Sequence, residues 1–398
     1  MSRHDFDVLI GGGGMVGAGL AAILAARCGP KGLRIALVEP RPVLTPLPQE
    51  PLDIRVSAIS RAGQQLMTEV GAWSLLLPRR PCAYERMIVW DAEAPVTGPQ
   101  TLEFDAAELG EPDLGHIIEN RAVAAALLER AMALQVTLLR SPVTELSLHR
   151  DQATVRLGER TVTASLVIAA DGADSAMRHL AGLGGEPSAY PQTAIVTHLR
   201  PARPHGAAAR QRFLAGGPLA LLPLTDGRVS LVWSLPPEQA ERLMALDDVA
   251  FAAAVTAASD SVLGHLEVTA PRGAFPLRRF NAATYAATRF ALIGDAAHAV
   301  HPLAGQGVNQ GFLDVLALAK AIESAWASGE DPGDPGPVGR YARARRAENA
   351  LMGAALDAIY RVYTDERDWV RSNRRRLLGW AQRLGPVKQH LVTRALLG

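Results

Sequence analysis

The sequence predicts an α/β protein: a mostly parallel sheet flanked by helices and split along the chain, an inserted mixed β-sheet, and a C-terminal helical region. Three observations predict it. A glycine-rich strand–turn–helix opens the chain. Two later buried-strand patterns end in Asp-Gly and Gly-Asp, near residues 171 and 295. The segments between them carry short β-like runs cut by Pro, Gly and Asp. At 398 residues the chain is long for one core, so two closely packed domains, or one domain with a large insertion, are expected.

Composition narrows the function classes. Apolar residues make up 48% and charged residues 20%, an ordinary globular balance. A formal net charge of +1 lacks the basic excess of a nucleic-acid-binding protein. Two cysteines, Cys28 and Cys82, offer neither a disulfide framework nor zinc spacing, so small buried thiols in a reducing compartment are expected. No signal peptide is expected, because Asp5 and Asp7 precede a first apolar run that glycines soon interrupt. The longest mostly apolar stretch, Met15 to Ala26, falls short of the roughly 20 residues a membrane span needs.

Taken in order, Asp7 to Ile10 reads as a buried strand, Gly12-x-Gly14-x-x-Gly17 follows at once, and Leu20 to Ala26 continues as helix. Leu33 to Val38 is a second buried strand, closed by Glu39. This is a Rossmann-like dinucleotide site. Its glycines permit a tight turn, close approach to a pyrophosphate and close helix–strand packing, and Glu39, 22 residues after Gly17, can bond an adenosine ribose. Four successive glycines, Gly11 to Gly14, leave the identity of the first motif glycine open.

Asp53 and Arg55 follow a Pro-rich loop. A guanidinium there suits phosphate oxygens, the alternative being a surface Asp–Arg pair. Met87 to Trp90 is strand-like and runs into a loop through Pro95, Gly98 and Pro99. Arg121 opens a helical run after Ile118-Glu119-Asn120 and also reads as a plain helix-face residue. Val162 to Ala170 is a buried strand ending in Asp171-Gly172, followed by Ser175 and Arg178; Asp-Gly after a strand is commonly just a turn.

Ala194 to Leu199, Leu219 to Leu222 and Val229 to Trp233 are β-like, and Pro237 to Ala258 is helical. Phe290 to Ile293 is a short apolar run ending in Gly294-Asp295. Pro302, the turn Gly305-Gln306-Gly307, Val308 and Asn309 follow and open a helix. Glycines allow close backbone approach to a ligand, the helix aims its positive end at the same spot, and the strand-end carboxylate can accept from ribityl or ribose hydroxyls.

Residues 331–339, rich in Pro and Gly, read as a loop. Beyond them a helix is expected to about Leu384, broken at Gly385-Pro386. Arg371 to Gly398 holds seven basic and no acidic residues, with Leu377, Trp380 and Leu384 at helical spacing. Either this helix packs its apolar stripe on the body with arginines in solvent, or it rests on an anionic membrane or a partner.

The segment LIGDAAHAVHPLAGQGVNQGFLDV, residues 292–315, resembles the second flavin-contacting motif of class A flavoprotein aromatic hydroxylases. HPLAGQGVNQG, GAFPLR at 273–278 and LLPL at 221–224 resemble their ubiquinone-biosynthesis branch, the UbiH/UbiF/VisC group. The DGxxSxxR element at 171–178 and the DxRxxALS-like segment at 53–60 have counterparts in the same hydroxylases, and the resemblance covers nearly the whole chain.

It implies a discontinuous FAD-binding domain (1–75, 107–182 and 276–340), a substrate domain (76–106 and 183–275) and a C-terminal helical region (341–398). It further implies FAD contacts at Gly12, Gly14, Met15, Val16, Gly17, Glu39, Arg55, Arg121, Val143, Asp171, Gly294, Asp295, Pro302, Gly305, Gln306, Gly307, Val308 and Asn309. Leu219 to Pro223 and Phe275-Pro276 would wall the substrate cavity, and His301 would line it. No side-chain catalyst or metal is expected, since His298 and His301 have no metal-spaced or Ser–Asp partners in sequence.

The implied activity is hydroxylation of a polyprenylated phenol in ubiquinone biosynthesis, with FAD as cofactor, NAD(P)H as transient electron donor and O2 as co-substrate. The implied setting is cytoplasmic, peripheral at the inner membrane face or in contact with a biosynthetic complex. A hydroxylase of another small aromatic and a flavin-binding scaffold subunit remain alternatives. An NAD-dependent dehydrogenase explains only the first motif, and a halogenase lacks its WxWxIP-like run. Gln310 stands where many relatives carry an apolar residue, which predicts altered polarity near the flavin-facing Asn309.

Overall fold

The computed structural model describes residues 4–46, 50–79, 81–98, 101–185, 188–299, 306–364 and 367. In chain order, β1 (Phe6–Gly11) turns into α1 (Met15–Cys28) and returns as β2 (Ile35–Val38). After a loop come β3 (Val56–Ile59), α2 (Arg61–Glu69), α3 (Trp73–Leu76), β4 (Cys82–Tyr84), β5 (Arg86–Asp91), β6 (Leu102–Asp105) and β7 (Gly115–Glu119). Then α4 (Asn120–Ala133) leads to β8 (Thr137–Leu139), β9 (Val143–Leu148), β10 (Ala153–Leu157), β11 (Arg160–Ala169) and α5 (Ala176–Leu180).

The second half holds β12 (Ser188–Pro201), β13 (Ala208–Leu214), β14 (Gly217–Pro223), β15 (Val229–Leu235), α6 (Pro237–Met244), α7 (Asp248–Ala258), β16 (Leu266–Val268) and β17 (Gly273–Asn281). It ends with β18 (Ala286–Ala287), β19 (Phe290–Leu292), β20 (His298–Ala299), α8 (Gln306–Ala327) and α9 (Pro335–Thr364).

One sheet runs β18-β19-β11-β1-β2-β8, with β10 and β9 extending it from β11. Strands β19, β11, β1, β2 and β8 are mutually parallel. Their near-continuous apolar runs suit burial on both faces. Register places Gly11 opposite both Ala169 and Val38, Ala169 opposite Leu292, and Val38 opposite Leu139. The glycine turn, Glu39, Asp171 and Gly294-Asp295 therefore leave one edge of one sheet, where ligands of parallel α/β sheets bind.

The second sheet runs β20-β17-β12-β15-β14-β13-β5-β6 with β16 beside β12, and β3-β7-β4 form a third. Period-two alternation divides the second sheet's faces. Ile195, Leu219, Leu221, Leu231 and Trp233 pack on Phe251 and Val255 of α7. Ala194, Val196, Ala220, Leu222 and Val232 line the opposite, cavity side. Residues 76–106 do join this sheet through β5 and β6, but β4 pairs with β7 in the third. β17 runs across the 275/276 boundary that the sequence reading drew.

Two helical expectations need correction. Pro237 to Ala258 is not one helix: the chain breaks between α6 and α7, where Asp247 caps α7 by accepting from Ala250 N at 2.7 Å. Residues 331–339 are not all loop, because α9 starts at Pro335. Pro337, Gly336 and Gly339 sit in its first turns, where N–H groups lack intrahelical partners and proline costs little. The expected continuation to Leu384 and the basic segment 371–398 lie outside the described residues.

α9 joins the layers. Near its start Tyr341 donates to Leu292 O at 2.7 Å. Near its end Tyr363 stacks on Phe213 of β13, centroids 3.7 Å apart, and Asp357 accepts from Tyr190 and Arg279. Both cysteines are buried, and burial pushes the Cys82 thiol up to about 11. Among the described residues no helix is long and apolar enough to cross a membrane.

Candidate functional site

At the glycine turn each position has a separate demand. Gly12 has φ +104° and an added Cβ would meet Ala170 O at 2.4 Å, so it is pinned by the neighbouring strand end. A Cβ on Gly17 would meet Gly12 O at 1.9 Å. Gly14, by contrast, faces open space, with no atom within 4 Å of an added Cβ. It also serves as the N-cap of α1 without side-chain capping, so the first-turn N–H groups remain available to an anion. That opening is a cradle with room for an anionic group.

Glu39 lies beside this cradle, its carboxylate accepting from Gly13 N at 2.7 Å and from Arg41 N at 2.9 Å. Val16 bridges the first and last motifs, because Cβ atoms on Gly294 and Gly311 would meet it at 3.1 and 2.5 Å. Met15 packs, partly buried, against the main core, as does Val143 at the start of β9.

Asp171 abuts the glycine turn by its backbone and caps α5 with its carboxylate, which accepts from Ser175 Oγ and from Met177 N at 3.0 Å. Arg178, fully buried, donates to Ala173 O and Ala296 O at 3.0 Å and lies 4.2 Å from the Phe280 ring centroid. The DGxxSxxR element thus clamps the end of β11 to the Gly294-Asp295 turn.

A cavity of about 510 Å³ lies between that turn and the second sheet. It is bordered on the first side by Arg55, Asp295, Gly307 and Val308. Asp295 keeps accessible surface, but that surface opens into the cavity while protein surrounds the rest. Burial pushes its carboxyl above the ordinary value, against the pull of His298 and Arg55. Arg55 is no surface partner of Asp53: its guanidinium lies 5.8 Å from the Phe275 ring centroid, and Asp53 meets Arg55 only through the backbone N–H at 2.8 Å.

Arg121 is not among the cavity residues. It holds the loop before β3, donating to Glu50 at 3.1 Å and Pro51 O at 3.0 Å and lying 3.8 Å from Asp53. Buried Glu119, paired with Arg79, accepts from Asp53 N at 2.8 Å and anchors the same loop.

The Asn309 side chain donates to Ala58 O at 2.8 Å and accepts from Ser60 N at 2.9 Å, tying α8 to β3. One expectation for α8 is corrected: Gln310 is not among the cavity residues, and its Oε1 accepts from Arg345 at 3.1 Å. Gln306 opens α8, while His301, Pro302 and Gly305 lie outside the described residues.

Gln310 belongs to a buried network that sequence reasoning missed. Asp314 accepts from Gly294 N at 3.0 Å, from His298 Nε2, from Arg345 Nε at 2.7 Å and from Asn349 at 3.2 Å. Burial alone would raise the Asp314 carboxyl, but His298 and Arg345 together hold it below the ordinary range. The available signal was the spacing: Gln310 and Asp314, like Arg345 and Asn349, stand four apart on helices. Among the described residues no group of three metal-ligating side chains occurs.

A family model described as FAD binding domain matches residues 5–346. The chain is 36% identical to ubiquinone hydroxylase UbiL of Rhodospirillum rubrum, over 98% of this chain and 89% of that protein. It is 34% identical to 3-demethoxyubiquinol 3-hydroxylase of Escherichia coli over the full length of both. Among solved structures, p-nitrophenol 4-monooxygenase of Pseudomonas putida superposes with a TM-score of 0.76 at 18% identity, covering 99% of this chain and 98% of that one.

Proposed function

The chain belongs to the FAD-dependent hydroxylases of ubiquinone biosynthesis and is a flavoprotein monooxygenase, and from that membership we propose that it hydroxylates the ring of a polyprenylated phenol. The observation that carries this reading is the cavity: its sheet wall of Ala194, Val196, Ala220, Leu222 and Val232 is hydrocarbon, and Asp295 with the start of α8 faces it. A ring held there excludes water by fit, and no side-chain nucleophile is needed.

FAD, when bound, supplies the redox chemistry with NAD(P)H and O2. The chain's own residues bind and orient. Gly12, Gly14, Met15, Val16 and Gly17 would hold the pyrophosphate, and Glu39 would accept from the adenosine ribose. Asp295 would accept from the ribityl chain, and Gly294, Gly307 and Val308 would lie against the flavin. Arg55, stationed over Phe275, covers the flavin edge. The discontinuous domain division is proposed in the same form, with β17 assigned to the substrate layer.

We assign the basic 371–398 segment to an anionic membrane surface or a biosynthetic complex, from which a chain worth about 0.8 kcal/mol per buried CH₂ can be drawn. The test is quinone profiling of cells lacking the protein, joined to NADH oxidation by the purified FAD-loaded protein. The expected outcome is an accumulated prenylated intermediate lacking one ring oxygen, and oxidation stimulated by prenylated phenols. An unchanged quinone profile with phenol-insensitive oxidation would overturn the reading and favour a flavin-binding scaffold.

A further inference from the structure

Three buried polar side chains interrupt the hydrocarbon lining of the cavity. Tyr84, Gln211 and Ser234 are 3, 7 and 2% exposed, and all three line it. None of the three side chains has a hydrogen-bond partner among the described residues, and none of their polar atoms is sealed inside protein. On the lining, Ser57 donates to Asn120, Arg210 to the carbonyls of His205 and Ala208, and Arg278 pairs with Asp174. Buried polar groups in folded proteins are almost always paired, so three open ones converging on one cavity call for a ligand.

Their placement fits one ring. Gln211 stands opposite Ala220, which stands opposite Val232, and Ser234 lies two residues farther along β15 on the same face. With strands about 4.8 Å apart and about 3.3 Å per residue, Gln211 and Ser234 are on the order of 12 Å apart at the backbone. Tyr84 shares a buried cluster with Ala209, two residues before Gln211 on the same face. Side chains reaching inward from these points bracket an aromatic ring and hydrogen bonds of about 2.8 Å on either side. All three groups are neutral and can both donate and accept. Burial keeps the Tyr84 phenol protonated well beyond its ordinary range.

We propose that Tyr84, Gln211 and Ser234 read the oxygen substituents of the substrate ring, and that this ring already carries at least two oxygens when it enters. A ring with one hydroxyl leaves at least one of the three groups buried and unpaired; hydroxyl, alkoxy or carbonyl oxygens at two or more carbons satisfy them. This rests on the hydroxylase reading above and deepens it. It places the chain after the reaction that supplies the second ring oxygen.

The test titrates FAD-loaded protein with short-chain prenylated phenols bearing one, two or three ring oxygens, followed by the change in flavin absorbance. Wild type is expected to bind the two- and three-oxygen ligands at least about tenfold more tightly than the one-oxygen ligand. Tyr84→Phe, Gln211→Met and Ser234→Ala should each weaken the richer ligands by about three- to tenfold. A single oxygen cannot engage all three groups, so at least one of the variants should leave the one-oxygen ligand within about twofold, and all three should keep their flavin content.

Equal affinity across the series in wild type, uniform weakening by the variants, or binding of none of the ligands overturns the proposal. Turnover separates the two readings. Ordered binding without hydroxylation under NADH and O2 sinks the hydroxylase reading alone. Hydroxylation without oxygen-dependent discrimination sinks the recognition role alone.

Discussion

Asp295 sets stability against binding at a single carboxyl. Its pKa in the folded protein is raised by burial. Its contribution to stability is therefore present below the ordinary value of 3.8 and is lost as pH rises through the raised value. At neutral pH the ionised group is a cost to the apoprotein that hydroxyl donors of a ligand offset. Asp295→Ala should thus leave apoprotein at least as resistant to denaturant at pH 7, while holding FAD at least about tenfold more weakly. Full flavin content in the variant would show that Asp295 has been misplaced.

Asp314 has the opposite sign. His298 and Arg345 hold its carboxyl low, so its stabilisation is present above 3.8 and lost as pH falls through the depressed value. Asp314→Asn leaves two basic groups buried beside an amide and should cost about 3–5 kcal/mol at pH 7. Denaturant curves of wild type and variant should converge in acid, and a gap independent of pH would contradict the assignment.

At the scale of the element, the glycine turn separates folding from binding within a few residues. An added Cβ at Gly17 strikes Gly12 O at 1.9 Å, whereas one at Gly14 meets nothing. Gly14→Ala should keep the thermal midpoint and lose FAD, and Gly17→Ala should lose both. The reverse order in thermal scans and flavin absorbance would mean that the pyrophosphate cradle lies elsewhere.

This turn, Glu39, Asp171 and Gly294-Asp295 were legible in the sequence because their chemistry is local: each is a strand followed within a few residues by its own turn. Asn309 was not, because its partners Ala58 and Ser60 are some 250 positions away. Asp314 and Arg345 became a pair only when α8 and α9 packed together. Tyr84 and Gln211 carried no motif at all; they stand on different sheets, and only the packing of those sheets brings them to one cavity. The start of α9 was missed because proline and glycine that break a helix interior are tolerated in its first turns.

At the scale of the whole molecule, α9 runs from the parallel sheet to the second sheet, where Tyr363 near its end stacks on Phe213. Truncation after Gly385 removes Lys388 and Arg394. It should leave flavin content and NADH oxidation intact while lowering binding to vesicles of anionic lipid and quinone synthesis in cells. Full restoration of ubiquinone by the truncated chain would make the segment purely structural.

The parallel register also governs when the protein can acquire its cofactor during synthesis. β1, β2, β8 and β11 emerge first, but β19, which leads into Asp295, pairs with β11 only after β12 to β17 have been made. At about 5–20 residues per second, the edge of β11 waits roughly 6–25 s for its neighbour. A nascent chain in that interval exposes an unpaired apolar strand and half a binding site. Flavin capture therefore closes assembly instead of nucleating it, and the supply of free flavin bears on how much chain completes folding before that open edge finds another partner.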